Sequence, residues 1–446
     1  MSFPRYPAYK DSGVEWLGEV PAHWPVAPIK RRYSVVGGST PKSDAPAYWD
    51  GDIVWITPAD LSRLRGFEIV ESIRTITQEG LDSCGTTLVP PGSLVLSTRA
   101  PIGSLGIATR KLCTNQGCKA LVPSDGDESR FLAYLLSVTT EELNIRGRGT
   151  TFLELSGDEL GAFRIPYPPR DEKSLITAFL DRETAKIDAL IAEQERLIEL
   201  LKEKRQAVIS HAVTKGLDPN VPMKDSGVEW LGEVPAHWEV IPLKWLTDAD
   251  RPIMYGIVLP GPDVGEGVPI LKGGNVRRER LHLEALARTT AEIEAPYTRA
   301  RLRANDLVYS IRGTIGDCEI VPEELEGCNI TQDVARIAPA EGVDSQWLRF
   351  ALLCEPVAED LACGSLGAAV RGINIFDLKR ARIPVPPAHE RAAIAAHLVD
   401  EIARLERLGD TAVCAVGLLR ERRAALISAA VTGQIDVRGR VDAEAV

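Results

Sequence analysis

Arginine recurs in glycine-bearing turns of this chain: Arg99 in STRAPIG, Arg312 in SIRGTIG, Arg146 and Arg148 in RGRGT, Arg277, Arg278 and Arg280 after LKGGNV with Lys272 inside it, and Arg371 beside Gly372. A guanidinium can fork onto a guanine edge or a phosphate, and a neighbouring glycine lets backbone approach a duplex. Arg99 and Arg312 stand at equivalent places in two related segments, which suits a structural or phosphate-holding role. Arginines present in one segment only are better candidates for reading sequence. Ordinary surface charge is the bland alternative for part of this set. Lys42 joins it as a cation from GGSTPKS, Gly37 to Ser43, which resembles a phosphate loop except that Pro41 stands where glycine must precede the lysine.

Signatures of catalysis are near misses. PYPP, Pro166 to Pro169, faintly resembles the Asn-Pro-Pro-Tyr of adenine methyltransferases but lacks the Asn or Asp that would hold the amino group. There is no GxSxG, no HExxH and no GxGxxG after a strand. His23 and His237 lie in two copies of PAHW, where packing of His on Trp at a module edge is the simpler reading. Glu15 and Glu229, one carboxylate per copy, make a poor acid-base site. The eight cysteines include no CxxC pair and the six histidines do not cluster with them, so reduced thiols and no metal site are expected. No catalytic residue is assigned.

Composition is that of globular protein, 44% apolar and 26% charged, and 446 residues call for about two to four structural units. The N-terminal MSFPRYPAYK has no apolar core of a signal peptide, and no long uncharged apolar run occurs, which leads to an expectation of a cytoplasmic protein with no membrane partner. A net charge of −11 argues against DNA binding by the chain alone, because phosphate neutralisation supplies much of such affinity. That objection weakens where partner subunits contribute basic surface.

The elements that must position these arginines are written twice. KDSGVEWLGEVPAHW, Lys10 to Trp24, recurs letter for letter at Lys224 to Trp238, and RIPYPPRDEKSLITAFLDRE from Arg164 is echoed by RIPVPPAHERAAIAAHLVDE from Arg382. Between these markers lie two distant cousins: GDIVWITPADL from Gly51 aligns with GVPILKGGNV from Gly267, and VPPGSLVLSTRAPIGSLGIAT from Val89 with LRANDLVYSIRGTIGDCEIV from Leu302. These pairs read as buried strands entering glycine turns, followed by amphipathic helices SRFLAYLLSV and SQWLRFALL. Shared junctions with diverged modules imply one mechanical role and two recognition roles.

Each module ends at prolines and passes into heptads. The first set is Ile176, Leu180, Glu183, Ile187, Leu190, Gln194, Leu197, Leu201, Lys204 and Val208; the second is Ile394, Leu398, Glu401, Leu405, Leu408, Ala412, Ala415, Leu419, Arg422 and Leu426. Each helix spans on the order of 60 Å at 1.5 Å per residue, with Gly216 and Gly433 at the expected C-caps. A parallel pairing sets Glu183 against Glu401 and Lys204 against Arg422. An antiparallel one sets Glu183 opposite Arg422 and Lys204 opposite Glu401, and also returns the chain, so an intramolecular antiparallel pair is predicted.

This order of elements closely resembles the specificity subunit of type I restriction-modification enzymes: EVPAHWPVAPIK and EVPAHWEVIPLK, then STRAPIG and SIRGTIG, then RIPYPP and RIPVPP. The resemblance spans nearly the whole chain. It implies an α+β fold with pseudo-twofold character: a first target recognition domain over residues 1–170 with its docking segment 10–24, a spacer helix over 171–215, a second domain over 216–388 with the repeat at 224–238, a second spacer helix over 389–434, and a tail, 435–446. The two mixed α/β domains, joined by two long helices in an antiparallel coiled coil, each read half of a split, asymmetric double-stranded DNA target. The subunit itself has no catalytic site and binds no cofactor. It docks two modification subunits, which bind S-adenosylmethionine and methylate adenine, and restriction subunits that use ATP and Mg. Two rivals differ in class. One is a tandem scaffold that binds only proteins, which the acidity favours; the other is a self-sufficient nuclease or methyltransferase, which the missing cofactor loops oppose.

Overall fold

A computed structural model describes residues 3–99, 101–124, 129–148, 153–363 and 372–439. The chain divides into two compact units, Met1–Gln194 with Cys414–Val446, and Glu195–Val413. Each unit therefore takes part of both long helices, Arg170–Lys215 and Ala388–Val431, where the sequence reading gave the helices segments of their own.

The first unit holds two sheets. One runs in the order Tyr33–Gly37, Cys118–Pro123, Leu94–Ser97, Leu105–Ala108 and Glu68–Ile69; the other places Trp49–Ile56 between Leu112–Thr114, which is parallel to it, and Thr75–Ile76, which is antiparallel. The second unit repeats this order, without a counterpart of Glu68–Ile69 among the described residues. Met254–Tyr255, Val334–Ile337, Leu307–Ser310 and Cys318–Ile320 form one sheet, and Val268–Leu271 lies between Asn329–Ile330, again parallel, and Ala287–Thr289, again antiparallel. The segments aligned by sequence are thus the same strands, and Leu94–Ser97 and Leu307–Ser310 are fully buried because side chains on both faces meet neighbours. The helices Ser129–Ser137 and Ser345–Leu353 cover them with Phe131, Leu135, Trp347 and Phe350, all buried.

The duplicated marker is a clamp. In the first unit a hairpin, Tyr9–Asp11 with Glu19–Pro21, delivers the fully buried Trp24, whose Nε1 donates to Glu172 Oε2 at 2.9 Å while His23 Nε2 lies 2.7 Å from Glu172 Oε1. Glu172 is in the first turn of the first long helix. On the other side of Trp24 sits Gly433, just past the second long helix, at φ +76° and so close that a Cβ would lie 2.3 Å from Pro21 Cδ and 2.9 Å from Trp24 Cζ3. The second unit repeats the arrangement with the helices exchanged. Trp238 donates to Glu390 Oε2 at 2.9 Å, His237 lies 2.7 Å from Glu390 Oε1, and Gly216 at φ +79° closes the first helix against Trp238. Burying each indole removes about 150–250 Å² from water, roughly 4–6 kcal/mol at about 25 cal/mol per Å². His23 and His237 are thus packing residues.

Inside each unit the long helices run antiparallel. In the first, Ile176, Phe179 and Leu180 share a core with Ile427, Ala430 and Val431, and farther along Asp188 takes Arg423 at 2.8 Å. In the second, Ile209, Ala212 and Val213 share a core with Ile394, Leu398 and Ile402, and Arg205 lies 3.9 Å from Glu406. The seam differs from the expected one at five positions. Leu190, Leu197 and Leu408 are 46%, 40% and 47% exposed, and Lys204 and Arg422 also face solvent. The positions turned inward are one residue later: Thr184, Ile191, Ile198, Arg205, Ile402, Gly409, Val416 and Arg423 are buried or half-buried. One residue is about 100° of helix rotation at 3.6 residues per turn, which turns Lys204 and Arg422 to solvent, while Glu183 and Glu401 stay half-buried. Glu183 bonds within its own helix to Arg182 and Lys186, and Glu401 to Arg404. The expected cross-helix pairs Glu183 with Arg422 and Lys204 with Glu401 are replaced by Asp188 with Arg423 and Arg205 with Glu406. The anchors Ile176, Leu180, Ile187, Ile394, Leu398 and Leu405 are buried, and Leu201, Val208, Leu419 and Leu426 are half-buried.

Candidate nucleic-acid interface

The arginine-bearing turns gather at one end of the sheets in each unit. In the first, the turn between Leu94–Ser97 and Leu105–Ala108 carries Arg99; Thr98 donates its N–H to Gly117 O at 2.8 Å and accepts from Leu155 N at 2.8 Å. The loop with Lys42 reaches the same corner, since Ser39 N donates to Thr114 O at 3.0 Å and Thr40 Oγ1 bonds Gln116 Oε1 at 2.5 Å. Trp49 and Trp55 donate their indole N–H groups to Lys42 O and Ser39 O, so this loop is braced on aromatic rings. A Cβ on Gly38 would lie 2.0 Å from Thr114 O, and that close approach, with no phosphate involved, accounts for the glycine.

In the second unit, Arg312 follows Leu307–Ser310. Ile311 N donates to Asp333 O at 2.9 Å, Ile373 N to Ile311 O at 2.9 Å, and Thr314 Oγ1 to Gly273 O at 3.2 Å. Those bonds bring the segment with Lys272, Arg277, Arg278 and Arg280 against the Arg312 turn. Backbone bridges pair Arg99 with Glu154 and Arg312 with Gly372, so the two arginines are structurally equivalent. Arg371 lies outside the described residues.

Carboxylates are threaded among these cations. Arg99 Nε lies 3.1 Å from Glu154 Oε2, Arg148 Nη2 2.9 Å from Glu159 Oε1, and Arg277 Nε 3.1 Å from Asp317 Oδ2. Arg146 lies over the Phe163 ring at 5.2 Å, and Arg280 reaches Gly274 O at 3.4 Å. Lys42, Lys272, Arg278 and Arg312 are exposed and form no ion pair among the described residues. Pairs this exposed are worth roughly 0–1 kcal/mol, so a phosphate can displace Glu154, Glu159 or Asp317 at small cost. The sequence reading missed those carboxylates, and also Arg74, whose guanidinium sits 3.5 Å from the Trp49 ring centroid. It missed Glu172 and Glu390 too, although each stands three residues after a Pro-Pro pair.

Thiol chemistry is disfavoured where the cysteines are buried. Desolvation pushes Cys113 up to about 12 and Cys354 up to about 11, and raises Cys118 and Cys318 further. Among the described residues no group of His, Cys, Asp and Glu is arranged to hold a metal, and no helix is long and apolar enough to cross a membrane.

Residues 27–200 match the family described as type I restriction modification DNA specificity domain. The type I restriction enzyme MjaIX specificity subunit of Methanocaldococcus jannaschii is 38% identical over 189 residues, 42% of this chain and 43% of that one. The EcoBI specificity subunit of Escherichia coli is 27% identical over 336 residues, 74% of this chain and 71% of that one. The match thus spans less than half the length of the first of these relatives. Among solved structures, a chain from a work described as the structural basis of complex assembly and conformational transition of the type I R-M system superposes with a TM-score of 0.71 at 17% identity, covering 92% of this chain and 98% of that one. The HsdS subunit from Thermoanaerobacter tengcongensis gives 0.53 at 18% identity, covering 93% and 98%. The structural likenesses support the mixed fold, and the sequence matches show that the chain is similar, over residues 27–200 and beyond, to type I restriction enzyme specificity subunits.

Proposed function

We propose that this chain gives a type I restriction-modification complex its DNA specificity, each unit reading one half of a bipartite, asymmetric double-stranded target. One observation carries the reading: two units that share the order of four strands in one sheet and three in the other present equivalent turns, anchored at Arg99 and Arg312, flanked by cations that differ between them. Equal frames with unequal readers suit an asymmetric target, the shared arginines holding phosphate and the others addressing base edges. The long helices act as the spacer that fixes the gap between half-sites, in phase with a DNA turn of about 34 Å.

Catalysis is borrowed. Two modification subunits dock on the duplicated surfaces and bring S-adenosylmethionine and the adenine methyltransferase chemistry, and restriction subunits, attached through them, bring ATP and Mg. The chain itself supplies no catalytic group and no cofactor site. With a net charge of −11 and three of its eight candidate arginines tied to carboxylates, the isolated chain binds DNA weakly and in a salt-sensitive way. The same two facts favour the second reading, a scaffold that binds only proteins. Selection of duplexes from a random pool by the chain assembled with its modification subunits, at physiological salt, separates them. A specificity subunit enriches a split sequence with a fixed gap, whereas a scaffold enriches none.

A further inference from the structure

The second unit contains a cavity of about 500 Å³ whose lining includes five arginines, Arg251, Arg299, Arg301, Arg303 and Arg336, against two carboxylates, Asp250 and Glu326. It is not part of the candidate DNA interface. Arg336 pairs in register with Val308, and Ile337 with Leu307, whereas Arg312 follows the opposite end of that strand at Ser310. Two of the arginines already have partners: Arg251 is held by Asp306 at 2.7 and 2.5 Å, and Arg301 by Glu294 at 2.7 and 2.8 Å. Arg299 and Arg303 are exposed and form no ion pair among the described residues.

Arg336 is the unusual member. It is 2% exposed, its Nη1 and Nη2 donate to the Arg299 and Pro252 carbonyls at 2.7 and 2.9 Å, and its Nε is buried with no hydrogen-bond partner. Burial and then the adjacent Arg251 charge both work against its ionised form, with Asp306 and Asp248 acting the other way. A guanidinium so deep, answered by carbonyls and no carboxylate of its own, is an incompletely compensated charge with a large desolvation cost. The fold does not require it. In the first unit the matching strand position, opposite Val95, is Ala120. The cationic cavity is therefore a specialisation of the second unit in a chain that is otherwise acidic.

We propose that this cavity is a binding site for a small phosphate-class oxyanion, free or carried on a nucleotide, with Arg299 and Arg303 reaching it from the rim and Arg336 setting the positive field beneath. Guanidinium forks match tetrahedral oxyanions in geometry and charge, and a cavity of this size accommodates a phosphate with a nucleoside attached. The site is independent of how the turns read DNA.

Thermal unfolding and calorimetric titration of the full chain with sodium phosphate, against sodium chloride at matched ionic strength, test it. Phosphate should raise the melting temperature saturably, and Arg299→Gln with Arg303→Gln should weaken apparent phosphate affinity at least about tenfold without shifting the melting temperature in chloride. Arg278→Gln with Arg280→Gln, on the other surface, should leave phosphate binding unchanged. Competition by ATP without a divalent ion would identify the nucleotide as the source, and its failure would assign the site to free phosphate; both support the proposal. A shift no larger than that of chloride, or one untouched by the Arg299 and Arg303 double variant, overturns it. Competition by non-specific duplex but not by ATP overturns the small-anion assignment.

Discussion

Glu390→Ala removes the acceptor that holds Trp238 and His237 at the start of the second long helix. The indole N–H, 2.9 Å from Glu390 Oε2, belongs to a tryptophan with no exposed surface, so it loses its partner where water cannot replace it. An orphaned buried donor costs about 1–3 kcal/mol. The contact to His237, whose side chain is 41% exposed, adds at most about 1 kcal/mol. A total of about 1–4 kcal/mol in a unit spanning Glu195–Val413 lowers its transition by about 2–16 °C, at roughly 2–4 °C per kcal/mol for this size. Differential scanning calorimetry is the assay, because two units need not unfold together. Glu390→Gln keeps a carbonyl oxygen for the indole and should cost less than half as much. The acid side gives a second readout. Burial alone would raise the Glu390 carboxyl, but the N–H groups of Trp238 and His237 outweigh it and hold it below the usual carboxylate range. A carboxylate more acidic folded than unfolded stabilises fully above the unfolded value of about 4.3, and this is lost as pH falls through the lower folded value. The gap between wild type and Glu390→Ala should accordingly narrow below about pH 4, toward the smaller difference that separates Glu390→Gln from Glu390→Ala. A Glu390→Ala protein within about 0.5 kcal/mol of wild type at neutral pH, or no better with Gln than with Ala, would refute the clamp.

The remaining predictions concern the helices and their caps. Leu405→Ala, at a position 4% exposed, should cost about 2–4 kcal/mol, and Leu408→Ala, at 47%, under about 1 kcal/mol, as measured by urea unfolding. A double-mutant cycle on Asp188 and Arg423 should give a coupling of about 0.2–1 kcal/mol that fades with salt, whereas the Glu183 and Arg422 cycle should give none. Gly433→Ala must meet Pro21 and Trp24, and should cost at least about 2 kcal/mol more than Gly13→Ala, where φ is also positive but nothing lies within 4 Å; a calorimetric comparison of the two variants decides it.

The sequence carried the fold where it carried repetition. A segment repeated letter for letter places His-Trp on glutamate with equal distances in both units, 2.7 and 2.9 Å, and the aligned strand pairs have equal topology. Helix direction was legible because the chain must return. Seam phase was not. Leu190-Ile191 and Leu197-Ile198 are apolar doublets, so steps of three then four and of four then three both satisfy the pattern, and only burial against the facing helix selects Ile191 and Ile198. Charges assigned on the wrong phase then gave wrong partners. At the candidate interface the arginines could be found from glycine turns, but Glu154 and Asp317 reach Arg99 and Arg277 across long stretches of chain that no local spacing encodes. Arg336 did leave a signal, a charged residue inside the buried strand VARI, of the kind that marks a functional position when nothing in the fold demands it.

The central claim is that two dissimilar readers on one repeated frame direct a borrowed methyltransferase. Base-resolved mapping of methylated adenines in cells holding the modification subunits, with and without this chain, tests it most directly. The account predicts a two-part motif, interrupted by a constant number of unread bases, that is methylated only when the chain is present. Identical methylation in both cells, or a continuous undivided motif, would contradict it.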